Sequence, residues 1–163
     1  MSTAIILLAA GQGSRMHSDL PKVLHPLGGA PILHHAMQTG AEAGATRTVV
    51  VTGHGGEAVA AAARDFDPEA EFAQQAEQLG TAHAVAQAAD NLADHTGTAI
   101  VLYGDTPFVR PETLTRMQDA AADVVILGFE AADPTGYGRL VLTADGSLDA
   151  IVEHKDATEA QRV

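Results

Sequence analysis

Apolar positions along this chain follow two alternating patterns. Short runs rich in Val, Ile and Leu are separated by longer stretches whose apolar residues recur at helical spacing. Residues 4–8 form the first run, which ends at Gly11. The spacing of Ile32, Leu33, Ala36 and Met37 predicts a helix over 31–43, with Pro31 suited to its first turn and Gly44 to its end. Residues 48–52, T-V-V-V-T, predict a strand that closes on G-H-G-G. An alanine-rich helix over 57–64 follows, then a short strand over 70–74. A second alanine-rich helix is predicted over 81–92 with Thr81 as its N-cap. Residues 98–103 predict a buried-type strand ending at Gly104 and Asp105. Residues 111–121 predict a helix and 123–130 another strand. Two shorter strands, 140–143 and 148–153, flank the turn 144–146.

This β-α-β-α order is the pattern of an α/β domain, a parallel or mostly parallel sheet with helices on both faces. In such sheets a ligand lies at the carboxyl ends of the strands. Three chemically suggestive segments follow strand ends: 10–15 after the first strand, 75–81 after the third and Gly104-Asp105 after the fourth. Their convergence on one site is the expectation.

Composition narrows the partners. The net charge of −12 argues against broad nucleic-acid binding and against attraction to anionic lipid. With aromatics at 4% and no Trp, stacking platforms for single strands are poorly supplied. No apolar run approaches the ~18 residues that mark a membrane helix. The first apolar run lacks a positive leader and reads as a core strand rather than a signal peptide. There are no cysteines, so disulfides and thiolate metal sites are excluded, and a cytoplasmic home is compatible. A length of 163 residues fits one domain.

Against this acidic background, Arg15 and Lys22 are the only Lys or Arg among the first 46 residues. Both sit in or beside the loop G-Q-G-S-R-M, whose glycines permit close backbone approach to an anion. The loop lacks the third glycine of a dinucleotide fingerprint and the G-K-[ST] of a P-loop, so neither class is supported. Pro21 restrains the backbone before Lys22, and Arg15 offers a planar fork of donors. Asp105, after a V-L-Y strand and a glycine, suits a hard cation such as Mg²⁺, which takes one or two carboxylates plus substrate phosphates. The same residue would serve equally as a turn cap. The segment Q-Q-A-E-Q-L-G-T supplies amides that can read a base edge, or simply a polar loop before a helix. The eight histidines lack zinc-site spacing, and G-S-R is not a nucleophile elbow.

Together the blocks L-A-A-G-Q-G-S-R-M, S-D-L-P-K-V-L-H-P-L, Q-A-E-Q-L-G-T-A-H-A, L-Y-G-D-T-P, D-P-T-G-Y-G-R and I-V-E-H-K-D-A-T resemble the uridylyltransferase domain of the bacterial bifunctional N-acetylglucosamine-1-phosphate uridyltransferase / glucosamine-1-phosphate acetyltransferase family. The first block marks nucleotidyltransferases broadly, while the third and last narrow the resemblance to this family. It implies a Rossmann-like sheet of the nucleotide-diphospho-sugar transferase fold. It also implies a cytoplasmic, Mg²⁺-dependent reaction of UTP with N-acetylglucosamine 1-phosphate, giving UDP-N-acetylglucosamine and pyrophosphate for cell-wall precursors. By matching motifs, Leu8, Ala9, Ala10 and Gly11 would hug the nucleotide, and Arg15 and Lys22 would meet its phosphates. Gln75, Gly80 and Thr81 would face the uracil and ribose. Tyr103 and Gly104 would lie near the sugar nucleotide, Asp105 would hold Mg²⁺, and Gly138 and Glu153 would contact the sugar.

The family continues past Val163 with two asparagines, one for the sugar and one for the metal. It then adds a left-handed β-helix acetyltransferase half that trimerises. The resemblance therefore implies that residues 1–163 are a partial, C-terminally truncated uridylyltransferase domain, inactive alone. A nucleotidyltransferase for another base or sugar, and a module that only binds nucleotide, are the competing expectations.

Overall fold

A computed structural model describes residues 2–11, 13 and 16–162. The chain forms two compact units, Met1–Ala121 and Ala122–Val163. In the first, four parallel strands build the sheet: β1 (Thr3–Ala9), β4 (Arg47–Thr52), β5 (Glu71–Gln74) and β6 (Thr98–Tyr103), in the order β5-β4-β1-β6. A small antiparallel pair, β2 (Pro26–Leu27) and β3 (Ala30–Pro31), follows a single 3-10 turn at Lys22–Leu24. Helices α1 (Ile32–Glu42), α2 (Gly56–Phe66), α3 (Thr81–Gln87) and α4 (Pro111–Gln118) complete the unit.

The strand sequences explain this layering. β1 and β4 are covered on both faces, so they read as unbroken apolar runs, T-A-I-I-L-L-A and T-V-V-V-T. On one face Ile5, Leu7 and Ala9 meet Leu33, Ala36 and Met37 of α1, Val59 and Ala63 of α2 and Leu114 of α4. On the other, Ile6, Val49, Val51 and Ala73 meet Ala84 and Ala88. Full burial of an Ile, Leu or Val side chain stabilises by roughly 1.5–3 kcal/mol, which makes this sandwich the main source of stability. Among the described residues no helix is long and apolar enough to cross a membrane.

The predicted α/β architecture with helices on both faces is therefore present, with corrections. β6 is an edge strand covered on one face only. Ile100 and Leu102 point into the core beside Ile5 and Leu7, while Val101 and Tyr103 are exposed. It alternates rather than being buried throughout, because the second core cluster does not extend over the face that carries Val101 and Tyr103. Thr81 is the first helical residue of α3 rather than its cap. Gly80 holds the cap position, with φ +104°, and no side chain caps it. Residues 123–130 do not form a strand. Their β-branched pattern is suitable, but a strand needs a hydrogen-bonded neighbour, and none pairs with them among the described residues.

The second unit carries the antiparallel pair β7 (Arg139–Leu142) and β8 (Leu148–Val152), then the short helix α5 (Glu159–Arg162). This matches the two predicted strands and their turn. The hairpin is fastened by Arg139, which donates to the carbonyls of Pro134 (3.0 Å), Tyr137 (2.7 Å) and Arg162 (3.1 Å). Phe129 and Tyr137 pack edge to face at 5.1 Å. Gly138 immediately precedes β7. Glu153 follows β8, and its carbonyl accepts the N–H groups of Asp156 and Ala157.

Candidate functional site

The strand order creates the site. From β1 the chain builds β4 and β5 on one side, then returns to place β6 on the other. The turnaround lies between β1 and β6, and the crevice outside their carboxyl ends is where open α/β sheets bind ligands. The N–H of Gly104 donates to the Leu8 carbonyl at 2.9 Å and ties the two strand ends together.

A cavity of about 400 Å³ opens at this point. Leu8, Ala9, Ala10 and Gly11 line it from the end of β1, and Lys22 from the 3-10 turn. Gln75, Gly80 and Thr81 line it from the loop between β5 and α3, and Tyr103 and Asp105 from the end of β6. The segments singled out at three strand ends thus share one wall. Gly104 sits between two of the lining residues. Arg15 lies outside the described residues. Gly138 and Glu153 belong to the second unit.

The charges at the mouth are explicit. Lys22 Nζ donates to Asp105 Oδ2 at 2.7 Å, across 83 residues of sequence. Their side chains remain 38% and 34% exposed. A half-solvated pair of this kind is worth at most ~1 kcal/mol, so either partner can be exchanged for a stronger ligand at little cost. Gly13 is needed for the geometry. It adopts φ +61°, and a Cβ there would stand 2.8 Å from Lys22 Cβ. An L residue would therefore strain the loop and push Lys22 away.

A cation already sits against Asp105 Oδ2 in the form of the Lys22 ammonium. One carboxylate just past a strand end, facing the cavity of about 400 Å³, fits the way Mg²⁺ is held, by few protein oxygens with substrate oxygens completing the shell. Among the described residues there is no cluster of three or more His, Asp or Glu that could hold a metal without substrate.

Sequence reasoning did not single out two residues of this region, Gln78 and His83. Gln78 Nε2 donates to the Ala10 carbonyl at 2.7 Å and latches the 75–80 loop onto the end of β1. Gln75 is only 5% exposed. Its Nε2 lies 3.1 Å from the Gly80 carbonyl oxygen and 3.2 Å from His83 Nδ1. Gln78 stands in the stretch recognised as amide-rich and His83 two residues beyond it, but their partners are set by folding and not by local spacing.

The chain matches the family of MobA-like NTP transferase domains over residues 5–163. It is 62% identical to bifunctional protein GlmU of Roseobacter denitrificans, over 99% of this chain and 36% of that protein. It is 64% identical to bifunctional protein GlmU of Cereibacter sphaeroides, again over 99% of this chain and 36% of the relative. The matched part of the relatives is N-terminal. The chain spans about a third of the length of the curated relatives it matches. The crystal structure of HddC from Yersinia pseudotuberculosis shares the fold, with a TM-score of 0.70 at 24% identity, covering 92% of this chain and 68% of that one.

Proposed function

The chain belongs to the MobA-like NTP transferase domain family, and we propose that it is the uridylyltransferase part of a protein like bifunctional GlmU. In this reading it binds UTP and N-acetylglucosamine 1-phosphate with Mg²⁺ and forms UDP-N-acetylglucosamine and pyrophosphate. The observation that carries the proposal is the Lys22–Asp105 bridge at the mouth of the switch-point cavity. It sets Lys22, which would meet the phosphates, beside Asp105, which would hold the metal, where a nucleotide would cross from β1 to β6. The product would feed cell-wall precursor synthesis, and the setting would be cytoplasmic. No nucleic acid or membrane partner is proposed. By the same resemblance, trimerisation would belong to an acetyltransferase part.

The chemistry agrees with the residues present. An oxygen of the sugar phosphate attacks the α-phosphorus of UTP, and the bond to the β-phosphate oxygen breaks, releasing pyrophosphate. The attacking oxygen is already ionised, because the second pKa of a phosphate monoester is ~6. No general base is then required. Catalysis consists of positioning two anions and offsetting their charge. Bound Mg²⁺, held by Asp105 and phosphate oxygens, would supply charge neutralisation at the reacting phosphoryl group. Lys22, released from Asp105, would contact the phosphates, and Arg15 would join it. The backbone of residues 8–11 would pass along the nucleotide, with Gln75, Gly80 and Thr81 on its base side and Tyr103 and Gly104 near the sugar nucleotide. Gly138 and Glu153 would contact the sugar.

In this reading residues 1–163 alone bind UTP with Mg²⁺ without turnover. Calorimetry with UTP and Mg²⁺ on this chain, beside a pyrophosphate-release assay on both this chain and the complete protein, tests both statements. Preference of the complete protein for CTP or GTP over UTP would sink the uridylyl assignment. Robust turnover by residues 1–163 would refute the need for further chain.

A further inference from the structure

We propose that His83 is a positioning residue for base selection, acting through the carboxamide of Gln75. The proposal rests on the nucleotide-binding reading above and adds a residue to it. Gln75 is buried, lines the cavity and presents its Nε2 to two atoms, Gly80 O at 3.1 Å and His83 Nδ1 at 3.2 Å. A carbonyl oxygen can only accept, so the end of the amide facing Gly80 must be the NH₂ group. The second hydrogen of that group then points at His83 Nδ1, which must offer a lone pair. His83 is therefore the tautomer with its proton on Nε2. His83 lies on helix α3, and its backbone carbonyl accepts from Gln87 Nε2 at 3.0 Å.

With both N–H bonds of Gln75 used inside the loop, the remaining polar atom is Oε1. No described residue donates to it. An acceptor that no described residue satisfies, on a side chain lining the cavity, is open to a donor from the ligand. Uracil carries N3–H between two carbonyls, whereas cytosine has a bare N3 lone pair at the same place. An acceptor at this wall therefore takes the uracil edge and rejects the cytosine edge. His83 touches no ligand in this arrangement. It holds the amide so that the oxygen, and not the NH₂, faces the base.

Two substitutions separate positioning from simple packing. His83→Leu keeps bulk but removes the acceptor. His83→Asn places Oδ1 close to where Nδ1 lies and retains it. Calorimetric Kd values for UTP and CTP with Mg²⁺ are measured on the chain and both variants, with melting curves to confirm folding. The expected result is a UTP-over-CTP preference that falls about tenfold in His83→Leu, the size of one hydrogen bond, and returns in His83→Asn. A preference unchanged in His83→Leu, or lost equally in both folded variants, overturns the proposal. Long-range ¹H–¹⁵N spectra of the unliganded chain read the tautomer independently. A proton on Nδ1 overturns the proposal while leaving nucleotide binding intact. If the wild-type chain binds neither nucleotide, the nucleotide reading fails and base selection fails with it. If it binds UTP and CTP equally, only the proposal for His83 falls.

Discussion

The two ends of the parallel sheet handle charge in opposite ways. At the amino ends, all three guanidinium nitrogens of Arg47 are engaged. Its Nε donates to Glu71 Oε1 (2.9 Å), its Nη1 to Asp94 Oδ1 (2.7 Å) and its Nη2 to the Asn91 carbonyl. Asn91 Nδ2 closes the ring on Glu71 Oε2 at 3.1 Å. At the carboxyl ends, Lys22 has one partner and Gln75 keeps an oxygen with no donor among the described residues. The amino end even holds a larger cavity, about 640 Å³, with Asp67, Glu69 and Glu71 on its wall. Its one cation, Arg47, already has each of its three nitrogens engaged. An arginine with every arm bound is a brace between β4, β5 and the turn after α3. A lysine with a single half-solvated partner can be exchanged. Function is to be sought where hydrogen-bonding capacity is left over, and size alone does not find it.

Breaking the carboxyl-end pair should have the largest effect. Asp105→Ala or Lys22→Ala in the complete protein is expected to lower kcat/KM by about 10²–10³ while the melting temperature moves little. A stability loss without an activity loss would make this pair a brace like Arg47. Arg15→Ala should lower kcat by about 10², a loss of ~2.7 kcal/mol in transition-state stabilisation, and steady-state kinetics would read it. Gly13→Ala should weaken nucleotide binding about tenfold by displacing Lys22, with ~1–2 kcal/mol lost to the positive φ. Denaturant titration beside calorimetry separates the two.

The smallest effect belongs to the other end. Arg47→Met is expected to lower the melting temperature by a few degrees with nucleotide Kd unchanged. The hydrogen bond from Arg47 holds the Asp94 carboxyl below the ordinary carboxylate range, aided by a backbone hydrogen bond and the guanidinium charge. A depressed carboxylate stabilises the fold above its unfolded pKa of ~4 and loses that contribution as pH falls through its folded value. The gap in melting temperature between wild type and Arg47→Met should therefore be widest at neutral pH and close in acid. A gap that widens on acidification would contradict the brace.

The same contrast governs what was legible in the sequence. Strands β1 and β4 announce themselves because they are buried on both faces, and a run such as T-V-V-V-T has few other uses. The strand ends could then be read as ligand-facing, which brought residues 8–11, Lys22, 75–81 and 103–105 to one cavity. The edge position of β6 was hidden, since whether a neighbour covers Val101 and Tyr103 is not a local property. Residues 123–130 have strand chemistry without a strand, for the same reason. The pair β2–β3 is too short for any periodicity. His83 and Gln78 were obscured because each acts through a contact made only on folding, His83 on the Gln75 amide and Gln78 on a carbonyl 68 residues away.

Exchangeable charge at the carboxyl ends is expected to bind nucleotide, while the braced charge at the amino ends is not. Calorimetric titration of UTP with Mg²⁺ into wild type, Lys22→Ala and Arg47→Met tests it directly. Saturable binding that is lost in Lys22→Ala and kept in Arg47→Met is the predicted result. Binding that survives Lys22→Ala but disappears in a folded Arg47→Met would contradict it.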